Sequence, residues 1–209
     1  MATHDTRMLL LGAVALFEPV NGYQIRRELL SWQVEDWAHV NPGSIYNGLA
    51  TLAKQGHVTR NDLVDGGRPV AVYELTDSGR GELERLIRSG LEEVSTVDRT
   101  AFSAAICLLP LLPADRTLRS LTRRRVALEE VVAELGTPVG PDAAPPHALR
   151  MVTLWLDLAI AELAWLRETI EQLRRGDLPL DPAAWAPPAD DPGWQMSSDR
   201  DRYRALLGR

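Results

Sequence analysis

The stretch NPGSIYNGLATLAKQGHVTR, residues 41–60, begins as a helix, buries one face and then runs through Gln55-Gly56 into a β-like segment. Asn41-Pro42 reads as a helix start. Asn is a favoured N-cap, and Pro loses nothing at the first helical position, where its missing N–H has no partner in any case. Gly56 marks the stop. At about 100° per residue, Ile45, Leu49 and Leu52 fall on one side, which must face a core. The opposite side presents Gly43, Asn47, Ala50 and Lys54, with Ser44 and Thr51 along one edge and Tyr46 along the other. Surface helices are usually laced with charge, yet this one carries Lys54 alone before Arg60. A helix that enters a DNA major groove needs such a thin edge. Asn pairs with adenine, Ala touches a thymine methyl, and Ser or Thr serves a base or a phosphate. Gly43 lets an anion approach the helix N-terminus. The plainer alternative is an exposed helix that is simply poor in charge.

The flanking sequence decides between these readings. Residues 7–17 (RMLLLGAVALF) are apolar throughout, the pattern of a helix buried on all sides, and Pro19 ends it. Asn21 caps a second helix over 22–30, with Ile25, Leu29 and Leu30 inward and Arg26 and Arg27 outward. After a Trp-containing connection and the helix from Asn41, residues 57–63 and 69–75 read as two strands. Asp65-Gly66-Gly67-Arg68 is the hairpin turn between them. Thr76 then caps a further helix through Ile87. Three helices, a hairpin and another helix make a winged helix-turn-helix, in which the third helix takes the major groove and the hairpin is the wing.

The second half is helical in pattern. A short apolar helix spans 99–109, before Pro110 and Pro113, and a longer one spans 114–135. A Pro-rich linker (137–146) precedes the strongest periodicity in the chain. Val152, Leu156, Ala159, Leu163, Leu166, Ile170 and Leu173 form an unbroken heptad stripe. A second apolar stripe, Met151, Leu154, Leu158, Ala161 and Trp165, lies on another face of the same segment. A helix apolar on two faces has two partners. The expectation is that 114–135 packs on one face and that the heptad stripe serves dimerisation. Residues 177–196 are Pro- and Asp-rich and read as extended, with a last helix over 198–207. The expected fold is mainly α with a small β-hairpin. It comprises a winged helix-turn-helix over 1–92, a helical dimerisation and effector domain over 93–176, and a C-terminal segment over 177–209.

Composition narrows the function. Net charge is −6; residues 1–90 hold 9 basic and 11 acidic side chains, so positive charge for DNA must be local. The acidic balance keeps open a second reading, a winged helix used for protein contact. The single cysteine, Cys107, excludes an intramolecular disulfide and a cysteine metal cluster; among Ile106, Leu108 and Leu109 it reads as a buried, inert thiol. His4, His39, His57 and His147 show no ligand spacing, and no phosphate loop, nucleophile–base set or cofactor motif is present. No apolar run reaches the length of a membrane span, and the chain is expected to be cytoplasmic.

Three motifs sharpen the reading. NGYQIRREL (21–29), GSIYNGLATLAKQG (43–56) and YELTDSG (73–79) resemble, in order and spacing, the PadR family of bacterial transcriptional regulators. Its members show GY-x-(I/L) at the second helix, (S/T)-(I/L)-Y-x-x-L-x-x-L-x-x-x-G in the third, and Y-x-L-T-x-x-G after the wing. The C-terminal half is similar to the longer PadR subgroup. Asn47 stands where members often carry Pro. The resemblance implies a homodimeric repressor reading an inverted-repeat operator in double-stranded DNA. It also implies a small aromatic or hydrophobic effector near the dimer interface, for which Trp32, Trp37, Trp155 and Trp165 are candidates; core packing is their plainer role. The DNA-facing candidates are Tyr23, Arg26, Gly43, Ser44, Tyr46, Asn47, Ala50, Thr51, Lys54, Arg60 and Arg68. Tyr23 could instead pack against the third helix, and Arg68 could be a solvated turn arginine.

Overall fold

In the computed structural model, residues 4–138, 140, 143–181, 188–189, 191 and 193–208 are described. They form two compact units, Met1–Ile87 together with Trp185–Arg209, and Arg88–Ala184. The first opens with α1 (His4–Phe17), β1 (Val20–Asn21), α2 (Gly22–Ser31), α3 (Val34–Trp37) and α4 (Pro42–Lys54). It continues through β2 (Val58–Asp65) and β3 (Arg68–Leu75) into α5 (Asp77–Glu92), of which the residues up to Ile87 belong to this unit. The second contains α6 (Thr100–Cys107), a 3-10 turn (Leu109–Leu111), α7 (Ala114–Leu135) and α8 (Pro146–Arg175). A last helix, α9 (Gly193–Leu206), belongs to the first unit.

Helix α1 is buried on every side from Met8 to Val14, as its unbroken apolar run requires. Against it lies α4, and Gly48 makes the approach possible: a Cβ there would sit 2.3 Å from Leu10 Cδ1. Helix α2 starts with a complete capping box. The Gln24 N–H donates to Asn21 Oδ1 (2.9 Å), and the Asn21 N–H donates to Gln24 Oε1 (3.0 Å). Asn41 holds the N-cap position of α4, but its side chain does not cap. Instead, the Ser44 N–H and hydroxyl both donate to the Asn41 carbonyl, at 2.9 and 2.6 Å.

The hairpin is as expected, with Val58 opposite Leu75 and Asp65 opposite Arg68. Gly66 and Gly67 form its turn at φ 55° and 80°, a two-residue geometry that suits the right-handed twist of the strands. A third strand was not legible. Val20 pairs with Tyr73 and Asn21 with Val72, giving the antiparallel order β1-β3-β2. Two residues are too few to show alternation. The single-turn helix α3 is equally short, and it is bounded by Gln33 and His39 at φ 56° and 53°.

The junction after the wing explains the spacing of Thr76 and Gly79. The Gly79 N–H donates to Thr76 Oγ1 (3.0 Å), the Thr76 hydroxyl donates to the Gly56 carbonyl (2.6 Å), and the Thr76 N–H donates to the His57 carbonyl (3.1 Å). The start of α5 is thereby tied to the end of α4. Gly79 lies so near that a Cβ would fall 1.9 Å from the His57 carbonyl oxygen.

In the second unit α7 and α8 pair along their lengths, which corrects the dimerisation expectation. Ala159, Leu163, Leu166 and Ile170 are buried inside this one chain, and Val152, Leu156 and Leu173 on the same face are half-buried. The heptad stripe therefore serves the intramolecular helix pair. The stripe left open is the other one: Met151, Leu154, Leu158 and Trp165 are each 41–49% exposed. Periodicity identified the two faces but not which neighbour each would meet. The unit's charged centre is Arg124, only 1% exposed. It donates through Nε to Glu162 (2.8 Å) and through Nη1 to the Glu93 carbonyl (2.5 Å), while its guanidinium lies 3.7 Å from the Phe102 ring centre. Burial pulls its pKa below the usual arginine range, and the Glu162 carboxylate opposes that shift.

The boundaries expected at 92 and 176 also move. The first unit ends at Ile87, and the C-terminal helix, starting at Gly193 rather than Ser198, returns to it. Residues 182–187, 190 and 192 of the stretch read as extended lie outside the described residues.

Two stability predictions follow from these contacts. Gly79→Ala should cost at the upper end of about 1–3 kcal/mol, because its Cβ meets backbone. Gly81→Ala, with nothing within 4 Å of its Cβ, should be neutral or stabilising. Urea denaturation of both variants checks the contrast. Glu162→Ala leaves the buried Arg124 charge without its carboxylate and should cost about 3–5 kcal/mol, read from the same denaturation curves.

Candidate nucleic-acid interface

The outward edge of α4 is built as the helical geometry requires. Ile45, Leu49 and Leu52 are at most 2% exposed, whereas Gly43, Tyr46, Asn47, Ala50, Thr51 and Lys54 are exposed. Ser44 is half-buried, its hydroxyl committed to the Asn41 carbonyl. The Thr51 hydroxyl donates to the Asn47 carbonyl (2.8 Å), so both hydroxyls offer lone pairs outward while their protons are occupied. Neither the Asn47 amide nor the Lys54 ammonium bonds to any described residue.

Tyr23 and Tyr46 frame one side of this edge. Tyr23 is 62% exposed and Tyr46 is 46% exposed. Tyr46 lies over the start of α2, and a Cβ on Gly22 would come within 3.1 Å of its ring. That contact accounts for Gly22 before Tyr23. Tyr23 itself projects outward, so packing against α4 does not explain it. Between these tyrosines and the base of the wing runs a hollow of about 360 Å³, lined in part by Asn21, Gly22, Arg60 and Tyr73.

The cations differ in availability. Arg68, at the turn, is exposed, and Arg26 is half-buried; neither pairs with a described residue. Arg60 is bound to Asp62 on the same strand face (2.9 Å), so it reaches a phosphate only by giving up that partner. Many acidic groups of this unit are neutralised away from the α4 edge. Arg80 holds Glu18 (2.5 Å), and Arg7 meets Glu82 (3.0 Å). The hydrogen bond from Arg85, with Arg7 adding charge, holds the Glu82 carboxyl below the usual range. The acidic total therefore does not describe this face.

Of the four candidate tryptophans, Trp32 and Trp37 lie in the first unit and Trp155 and Trp165 in the second. The Trp37 indole N–H donates to the Trp32 carbonyl (2.9 Å), and the Trp32 N–H donates to Glu28 (3.2 Å), whose carboxyl burial raises above its ordinary value. Both serve the connection between α2 and α4. A cavity of about 490 Å³ does exist in the second unit, between α6 and α8, and only Trp165 of the four lines it. Its other apolar walls are Phe102, Ile106, Cys107 and Leu158, with Arg99 and Glu162 joined across it at 3.0 Å. Phe102 meets Trp165 edge to face at 5.9 Å. Sequence patterning missed Phe102 because the stretch TAFSAAIC (100–107) is apolar all round. Cys107 is exposed, not buried as expected, though its apolar surroundings push the thiol pKa up. Among the described residues no cluster could hold a metal ion, and no helix is long and apolar enough to cross a membrane.

No curated protein matches the chain. Among solved structures, Bacillus subtilis PadR in complex with operator DNA is 20% identical, covering 80% of this chain and 98% of its own, with a TM-score of 0.36. A PadR-like transcriptional regulator from Bacillus cereus is 17% identical, covering 81% and 98%, at 0.35. Bacillus subtilis PadR in complex with p-coumaric acid is 17% identical, covering 80% and 99%, at 0.31. A family model, that of the transcriptional regulator PadR-like family, matches residues 10–85, from within α1 through the whole wing into α5. That segment of the chain is similar to the transcriptional regulator PadR-like family.

Proposed function

We propose that the chain is a homodimeric, sequence-specific DNA-binding repressor that a small hydrophobic or aromatic effector releases from an inverted-repeat operator. The observation that carries this reading is the outward edge of α4. It is exposed and free of acidic side chains, with Asn47 at its centre, Lys54 at its end and the arginine-tipped wing alongside. Such an edge reads bases through Asn47 and Ala50 and leaves phosphates to Lys54, Arg68 and Arg26.

Dimerisation is assigned to the open stripe of α8. Met151, Leu154, Leu158 and Trp165 recur along one face of a 30-residue helix, and a soluble monomer rarely leaves so continuous a row uncovered. A second copy is the natural occupant, because the same stripe on a two-fold mate presents complementary apolar side chains. Two winged helices joined in this way would set their α4 helices in successive grooves, about 34–36 Å apart. The α6–α8 cavity has the size and aromatic walls for a small flat molecule. It shares Leu158 and Trp165 with the stripe, so a ligand there touches the surface on which the mate would sit. That shared contact is how an effector could bias the spacing of the two α4 helices.

Selection of duplexes from a random pool should yield an inverted repeat, with affinity falling steeply as salt rises. Asn47→Ala should relax preference at one position per half-site and cost about 1–3 kcal/mol. Absence of duplex binding at low salt would instead favour the protein-contact reading. Leu158→Glu should give monomers in sedimentation with the native circular dichroism spectrum, whereas Leu163→Arg should unfold the α7–α8 pair. A folded dimer of Leu158→Glu would sink the interface assignment.

A further inference from the structure

The C-terminal helix, α9, occupies a place that the proposed function leaves unused. It docks beside β1 and the start of α2 within the first unit, with Met196 and Tyr203 only 3% and 2% exposed. Its polar groups complete the α2 capping box. Once Asn21 and Gln24 have capped each other, each retains an amide N–H. The Asn21 amide donates to Tyr203 Oη (2.9 Å), and the buried Gln24 amide donates to Asp199 Oδ2 (2.8 Å). Asp199, itself 8% exposed, also accepts from Gln195 (2.9 Å) and pairs with Arg202 (2.8 Å). A carboxylate this buried is tolerable because each of its oxygens is met by donors.

From that anchored base Arg202 reaches across to the wing and pairs with Asp65 at 2.8 Å. Asp65 is the last residue of β2, three residues before Arg68, so its charge sits at the wing tip, where it would repel a phosphate. Arg202 neutralises it and links the tip to a helix that also grips the N-terminus of α2. We propose that α9 is a brace for the DNA-binding face, with Arg202 as a positioning residue that fixes the wing relative to α2 and so sets where Arg68 meets DNA. The proposal rests on the DNA-reading assignment above for its consequence, though not for the contact itself.

An ion pair half open to solvent has a modest effect alone, at most about fivefold in an equilibrium, so the test must separate positioning from charge. The full-length chain is compared with Arg202→Ala, Asp65→Ala and the double variant. Amide hydrogen exchange at residues 63–69 is followed without DNA, and affinity is measured for a duplex that the unmodified chain selects from a random pool. The double variant keeps the net charge, so long-range attraction to DNA is unchanged. The brace requires faster wing exchange in all three variants and about three- to fivefold weaker binding by the double variant, with Arg202→Lys retaining most of both properties. Met196→Asp, which should release α9 altogether, should speed wing exchange further while the α1–α5 amides stay protected.

Unchanged wing exchange in Arg202→Ala would overturn the brace. So would unaltered affinity of the double variant, which would reduce Arg202 and Asp65 to independent charges. Tighter binding by the double variant would make α9 an inhibitor instead. If no duplex is selected at all, the DNA-reading assignment fails separately, and the exchange data still decide whether α9 holds the wing.

Discussion

The outward edge of α4 is determined by its inward one, and that depends on Gly48. With no side chain there, α4 settles against an α1 that is buried all round, at a distance Leu10 would otherwise forbid. Ile45, Leu49 and Leu52 then enter the core together, and helical geometry leaves Asn47, Ala50 and Lys54 no direction but outward. Thr76 and Gly79 fix the other end by tying α5 to the Gly56 and His57 carbonyls. A helix pinned at its middle and its end can dispense with charged surface residues, because packing and not solvation holds it in place. The scarcity of charge in NPGSIYNGLATLAKQG is thus a consequence of tertiary restraint as well as a condition for the proposed entry into a groove.

What the sequence revealed and what it hid divide along physical lines. Helices α1, α2, α4 and α7, the hairpin and the Thr76 cap were legible because each writes its own local pattern: a period, a cap or a turn residue. Strand β1 and helix α3 were not, since two and four residues carry no period, and pairing with β3 is what makes Val20–Asn21 a strand. The two faces of α8 were legible, but their partners were not. Heptad spacing specifies a seam without naming the helix across it, and the better seam goes to the neighbour in the same chain. Helix α9 was half legible: WQMSSDRDRYRAL shows almost no amphipathic pattern, because its buried contacts are the polar Asp199 and Tyr203 as much as Met196. The candidate DNA-facing residues separate similarly. Those on α4 could be placed from helical geometry, while the Arg60–Asp62 pairing and the openness of Arg26 depend on side-chain neighbours that no spacing announces.

Two buried polar groups give each unit its particular arrangement, and they work in the same way. Arg124 in the second unit and Asp199 in the first are charges withdrawn from water, each satisfied from more than one element. Arg124 joins α7 to Glu162 on α8 and to the Glu93 carbonyl; Asp199 joins α9 to Gln24 on α2. Apolar burial would tolerate a sliding of either helix by a fraction of a turn. A buried charge does not, because any shift leaves a donor or acceptor unpaired at a cost of about 1–3 kcal/mol. Registry at these two places is therefore specified by polar chemistry over a core that supplies most of the cohesion.

The same distribution resolves the apparent conflict between an acidic chain and the proposed DNA-reading edge. Acidic side chains on the first unit are met by Arg7, Arg80 and Arg85, and Asp65 on the wing is met by Arg202 from the far end of the chain. A phosphate responds to charges within about 10 Å at moderate salt and scarcely to the net total beyond that. What it would meet at this face is Lys54, Arg68 and Arg26, with the nearest wing carboxylates already paired. Local pairing, and not composition, sets the sign of the field where α4 and the wing face outward. A chain can consequently stay acidic overall, which favours solubility and limits nonspecific adhesion to nucleic acid, while one edge keeps the local charge that the proposed duplex contact needs.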